Sequence, residues 1–240
     1  MVTYSELRKL TPIPKDRSYN LCDVICLQIS PIFSKIFIKH RIIPNMVTIY
    51  MIIFGIIGAI LLAIPNNMTK IISIVFFYLW YTMDCCDGEV ARYTKNFSKY
   101  GKEMDFMAHL TDHVAFNFAL WFSLIEIGVL KIEIVSGACM ISISCELLRR
   151  NLNNFSSYLH LFQNKDQEII SIFRYIYRQL NVYPNFILFF CPIVVVDYWI
   201  RNGFSVWIFL IWTALFFLDT LRAVINYLFP DFVTTKTAIL

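Results

Sequence analysis

The stretch Ile71-Ile-Ser-Ile-Val-Phe-Phe-Tyr-Leu-Trp80-Tyr-Thr-Met-Asp84-Cys-Cys-Asp87-Gly88-Glu-Val-Ala91-Arg92 decides how the chain is read. An apolar run stops abruptly at two aspartates and an arginine. Eight residues later Gly101-Lys-Glu-Met-Asp105-Phe-Met-Ala-His109-Leu-Thr-Asp112 leads into a second apolar run. An Asp at the centre of a bilayer costs about 2.5–3.5 kcal/mol. Three aspartates at the mouth of hydrophobic helices call for a compensating charge, and a divalent cation is the obvious candidate.

The rest of the chain supplies the membrane context. It is 58% hydrophobic and only 16% charged, too little charge for a soluble domain of this length. Stretches of transmembrane length lie at about 45–64, 71–86, 104–129, 133–148, 183–200 and 203–229. The expected fold is all-α and integral to the membrane, with six transmembrane helices. Residues 17–41 add an N-terminal amphipathic helix lying in the interface, with Pro31 as a break. Pro44 falls in the first turn of the first span, where its missing N–H is no loss. Asn151–Lys165 reads as a loop. Ile169 to Leu180 returns to helical spacing, as a second interfacial helix or an extension of the fifth span. The expected organisation is a cytoplasmic N-terminus with its interfacial helix over 1–43, one membrane domain over 44–230 and a cytoplasmic tail over 231–240. The first twenty residues are polar, so no signal peptide is expected.

Orientation follows from the basic residues. With the N-terminus inside, 18 of the 21 Lys and Arg fall in inner segments, and only Lys70, Lys131 and Arg201 lie outside. That bias puts both termini and the acidic motif in the cytoplasm, with the plasma (inner) membrane as the expected location. The net charge of +4 then speaks for anionic headgroups rather than nucleic acid. The seven cysteines include no CxxC pair and no zinc spacing, so they read as reduced packing residues.

The motif carries the chemistry. Asp84 and Asp87 are i and i+3 and share a helix face; Asp105 and His109 are i and i+4 and share another. Two helices can thus aim these side chains at a common point. Carboxylates are hard donors suited to Mg²⁺, Mn²⁺ or Ca²⁺, and a metal pair roughly 3.5–4 Å apart clamps the entering and leaving oxygens of phosphoryl transfer. Arg92 can fork onto a phosphate. Gly88 and Ala91 allow a ligand or a helix close to the backbone.

This pattern resembles the CDP-alcohol phosphotransferases, whose signature is D-x2-D-G-x2-A-R-x8-G-x3-D-x3-D. Asp84, Asp87, Gly88, Ala91, Arg92, Gly101 and Asp105 match seven of its eight fixed positions with all spacings intact. The start of the first span, Pro44-Asn45-x-x-Thr48, resembles the family too. The resemblance implies that a CDP-alcohol binds with its diphosphate on two Mg²⁺ or Mn²⁺ ions held by Asp84, Asp87 and Asp105. Its cytidine would lie near Gly88, Ala91 and Gly101, with Arg92 on the diphosphate. A hydroxyl of a second alcohol or lipid attacks the β-phosphorus and CMP leaves, as in phospholipid or surface glycolipid synthesis. A homodimer is implied as well.

The departure is His109, where the family has its fourth aspartate. Three readings compete: His109 is the base, it is a ligand or polar filler with the base elsewhere, or the enzyme is an impaired scaffold. Asp112, on the same face, is expected to hold the imidazole by its other nitrogen; the alternatives are a water-facing carboxylate or a partner for His113. Further in, Asp219 and Arg222 read as an ion pair, and Arg149 and Arg150 as headgroup anchors or acceptor contacts. The aromatics Trp207, Trp212, Phe216 and Phe217 read as packing or lipid-facing surface. A divalent-cation carrier is the rival class, weakened because Asp197 and Glu126 stand isolated near the opposite face.

Overall fold

The computed structural model describes residues 2–13, 19–158 and 172–229, and within them it is helical with no strand. The helices are α1 (Tyr4–Leu10), α2 (Leu21–Lys39), α3 (Pro44–Ala63), α4 (Asn67–Thr94), α5 (Gly101–Ile127), α6 (Ile132–Tyr158), α7 (Ile172–Asn181), α8 (Tyr183–Ile200) and α9 (Phe204–Leu228). The proposed tail 231–240, His160 and basic residues such as Lys15, Arg17, Lys165 and Lys236 lie outside the described residues.

Among the described residues five helices are long and apolar enough to cross a membrane: α2, α3, α4, α8 and α9. The membership differs from the six expected spans. Helices α5 and α6, 27 residues each, are excluded by composition rather than length, because they carry the buried ionisable groups described below. Helix α2, expected to lie in the interface, qualifies instead. Its side-chain hydrogen bonds to α4 all fall in the second half of that helix: Tyr81 Oη donates to Asp23 at 2.6 Å, Cys86 Sγ to the Ser30 carbonyl at 3.3 Å, and Ser30 and Ser34 donate to Glu89.

The expected break at Pro31 does not occur; the proline is buried inside a continuous α2. An interior proline costs about 3 kcal/mol, and the contacts of Ser30 and Ser34 on either side of it hold the helix against α4. The expected loop from Asn151 is helical as far as Tyr158, as the end of α6. Helix α4 also runs two turns past the predicted end of its span, because α2 and α3 give its polar residues internal partners.

Helix α3 packs closely on α4 and α5 through small residues. A methyl group on Gly58 would stand 3.2 Å from the Phe77 ring, and one on Gly55 only 2.5 Å from the Asp112 carboxyl carbon. Small residues let backbones approach in this way. The core between α4, α5, α8 and α9 is aromatic: Phe77 meets Phe116 edge-on, and Phe186 lies stacked 3.6 Å from Trp212, which stacks on Phe216. Trp212 and Phe216 are thus core, while Trp207 and Phe217 face outward. The cysteines are free, and all but Cys85 are buried.

The end of the bundle away from the motif is closed by internal polar contacts. Lys70 is fully buried. Its Nζ donates to the Leu62 carbonyl at 2.6 Å and to Ser123 at 2.9 Å, pairs with Glu126 at 3.1 Å and lies 4.3 Å over the Tyr198 ring. Asp197 accepts from the Gly203 and Ser205 amides at 2.7 and 2.8 Å. Neither Glu126 nor Asp197 is isolated, as the sequence suggested.

Candidate active site

Asp84, about three turns before the end of α4, faces the first three turns of α5. Lys95 turns the chain at the end of α4 with φ of 53°, and Asn45 at the start of α3 donates to Ser98 in the connection at 3.1 Å. The two halves of the motif are thereby brought together. His109 Nε2 stands 3.2 Å from Asp84 Oδ1 and 3.5 Å from Asp105 Oδ1. One donor atom from each of the three lies within 4.8 Å of the other two. Exposure is graded across the cluster: the side chain of His109 is 8% exposed, that of Asp84 21% and that of Asp105 46%. The cluster therefore opens outward on the Asp105 side.

Asp87 sits outside this trio, one turn along from Asp84. Its Oδ2 accepts the Thr48 hydroxyl from α3 at 2.8 Å. Gly88 gives room to a side chain of its own helix: a methyl there would come within 2.9 and 3.0 Å of Arg92 Nη2 and Nη1. The space that the sequence left to a ligand at Gly88 is partly taken by that guanidinium. Ala91 is half-buried, Arg92 is exposed, and Gly101 opens α5 with only Ser98 near its Cα.

Asp112 does not hold the imidazole. Its Oδ2 accepts the Trp80 indole N–H at 2.8 Å, while Asp112 Oδ1 and His109 Nδ1 are buried with no partner among the described residues. The reason is helical geometry together with α4: Trp80 reaches Asp112 first, and its ring stands edge-on to His109 at 5.9 Å. Nor does Asp112 pair with His113, whose Nδ1 lies 2.6 Å from Glu146 of α6. Glu146 also contacts Arg150 Nε at 3.4 Å. The expected Asp219–Arg222 pair is likewise replaced. Asp219 bonds Arg149 across helices and accepts the Tyr177 hydroxyl at 2.7 Å, because α6 and α9 pack side by side and leave Arg222 exposed. Arg149 and Arg150 are therefore engaged within the protein rather than free as headgroup anchors.

Sequence reasoning missed Glu89, Trp80, Arg8 and Thr11. Glu89 sits at a free position of the signature yet is fully buried. Its signal was present in α2: Ser30 and Ser34, one helical turn apart, mark a polar strip in an apolar helix.

The family model for CDP-alcohol phosphatidyltransferases matches residues 41–218. The chain belongs to that family. Among the curated proteins none matches it significantly. Membership supports CDP-alcohol phosphotransferase activity in general, with a divalent metal as the family's cofactor. Two carboxylates and an imidazole nitrogen converging within 4.8 Å form a donor set that fits such an ion. In this member of the family His109 stands where the signature has its fourth aspartate, and it lies between Asp84 and Asp105 rather than beside them.

Proposed function

We propose that this protein transfers a phosphoalcohol group from a CDP-alcohol to the hydroxyl of a second alcohol or lipid, releasing CMP. The observation that carries the reading is the convergence of Asp84, Asp105 and His109 from the two halves of the motif. Asp84, Asp87 and Asp105 would hold Mg²⁺ or Mn²⁺, two ions in this reading. The metal, when bound, supplies positive charge to the diphosphate and its leaving oxygen.

The chain's own residues do the rest. Thr48 holds Asp87 in one rotamer, so the carboxylate is oriented before substrate arrives. Arg92 forks onto a phosphate oxygen. At Gly101, where an added Cβ would meet only Ser98 at 3.6 Å, the cytidine would lie against Gly88 and Ala91. The acceptor oxygen bonds to the β-phosphorus, and the bond from that phosphorus to the bridging oxygen of CMP breaks. The hydroxyl proton passes to His109, imidazole being the side chain that most often serves as a general base. Asp112 acts at one remove: it fixes Trp80, and Trp80 flanks the His109 ring.

A second reading of His109 has its own support, since Nε2 is one of the three clustered donor atoms. In that reading it is a ligand. The two readings part on whether an alanine variant still binds Mn²⁺.

The same proposal places one membrane domain at 44–230 with the site on the cytoplasmic side, supported by the basic residues around the motif. Helix α2, whose side-chain bonds to α4 lie in that helix's second half, fits an interfacial position. The homodimer rests on the family resemblance alone. The test is CMP release from CDP-diacylglycerol and from soluble CDP-alcohols, with a panel of polyol, polyol-phosphate and lipid acceptors and Mg²⁺ or Mn²⁺. Release from at least one pair is expected. Silence across the panel would favour a scaffold of the same fold.

A further inference from the structure

The family match begins at residue 41, yet the chain before it reaches into the motif. Glu89 is the anchor. Its Oε1 accepts the Ser30 hydroxyl at 2.6 Å and an Arg8 N–H, and its Oε2 accepts the Ser34 hydroxyl at 2.7 Å. Arg8 lies in α1, a short helix seated by Leu7, which is 1% exposed. A reciprocal cap between Thr3 and Glu6 fixes its start. Arg8 Nη1 also donates to the Thr11 carbonyl at 2.9 Å, fixing its end.

Thr11 is thereby delivered to the motif. Its Oγ1 accepts Arg92 Nε at 2.9 Å. That bond uses the one guanidinium nitrogen that lies away from the terminal pair. Nη1 and Nη2 lie against Gly88 and hydrogen-bond nothing among the described residues.

We propose that the N-terminal segment is a positioning clamp for the nucleotide site. In this assignment Thr11, held by Arg8 on Glu89, presets the Arg92 guanidinium so that its two terminal nitrogens meet a diphosphate. An exposed arginine otherwise samples many rotamers and loses that freedom on binding. Fixing it beforehand removes part of that loss and raises affinity. Thr11 and Arg8 are positioning residues, since neither touches substrate. The inference rests on the reading of Arg92 as a diphosphate contact.

The test uses the full-length protein in nanodiscs, with CDP and Mn²⁺ as the probe in titration calorimetry. Thr11→Val removes the acceptor at nearly constant shape and leaves no buried charge behind. Its expected effect is about 5-fold weaker CDP binding, the order expected for losing the prior immobilisation of one rotamer-rich side chain, at an unchanged melting temperature. Thr11→Ser should restore wild-type affinity. Wild-type binding in Thr11→Val would overturn the clamp and leave the proposed function standing. A lowered melting temperature that Thr11→Ser does not rescue would make the contact merely structural and also overturn it. Failure of the wild-type protein itself to bind CDP with Mn²⁺ would remove both the clamp and the nucleotide site.

Discussion

Thr48 Oγ1 donates to Asp87 Oδ2 at 2.8 Å, tying the first turns of α3 to the aspartate that the three-residue cluster leaves out. The hydroxyl orients the carboxylate without contacting the cluster. Partners of this kind change metal affinity by about 10- to 100-fold when removed. Thr48→Val should raise the Mn²⁺ concentration needed for half-maximal CMP release by at least about 10-fold, with little change in rate at saturating metal. An unaltered metal titration would show that Asp87 needs no such support.

His109→Ala separates the two roles of the imidazole. As a base its loss should lower kcat by about 10²- to 10⁴-fold while CDP and Mn²⁺ still bind. As a ligand its loss should abolish Mn²⁺ binding, read by electron paramagnetic resonance of the free ion. Near-normal turnover would exclude both.

Gly55 and Asp112 are in contact across α3 and α5. Gly55→Ala would drive a methyl into the carboxylate, and overpacking of this kind costs about 1–3 kcal/mol. The variant should melt at lower temperature and lose the Asp112–Trp80 bond, seen as a shift in Trp emission. Asp112→Asn, which keeps an acceptor for the indole, should retain that emission. If Gly55→Ala melts like the wild type, α3 and α5 are looser than the distances indicate.

Removing Arg8 leaves the Glu89 carboxylate buried without its cation. Breaking a buried pair from one side costs about 3–5 kcal/mol. Arg8→Met should therefore be severely destabilised in thermal melts. Arg8→Met with Glu89→Met should recover much of the loss, since no uncompensated charge remains. A mild single variant would mean that Ser30 and Ser34 suffice for Glu89.

Chelation should leave the fold intact and stop CMP release. EDTA-treated protein is expected to keep its helical circular dichroism and to regain activity with Mg²⁺ or Mn²⁺. Persistent turnover in metal-free buffer would contradict the role given to Asp84, Asp87 and Asp105.

The fold was largely legible because apolar runs long enough to cross a bilayer leave few alternatives. Each of the six expected spans falls on a helix whose apolar end lies within about four residues of the expected one, and of the four side chains expected to converge Asp84, Asp105 and His109 do so while Asp87 turns to Thr48. What stayed hidden was partner choice. Asp112 and Asp219 each had a plausible neighbour in sequence, and each took a partner on another helix: Trp80 and Arg149. Spacing along one helix tells which residues share a face. It does not tell what the facing helix presents. Pro31 was misread for the same reason, since the serines that stabilise its helix act through Glu89, far along the chain.

The buried Lys70 has a consequence for traffic. With its charge matched by Glu126 and its hydrogens spent on Leu62 and Ser123, that end of the bundle is sealed by contacts already in place. In the proposed reaction donor and acceptor would then reach Asp84, Asp105 and His109 from the motif end of the bundle, and a product released there would stay on the side on which it was made.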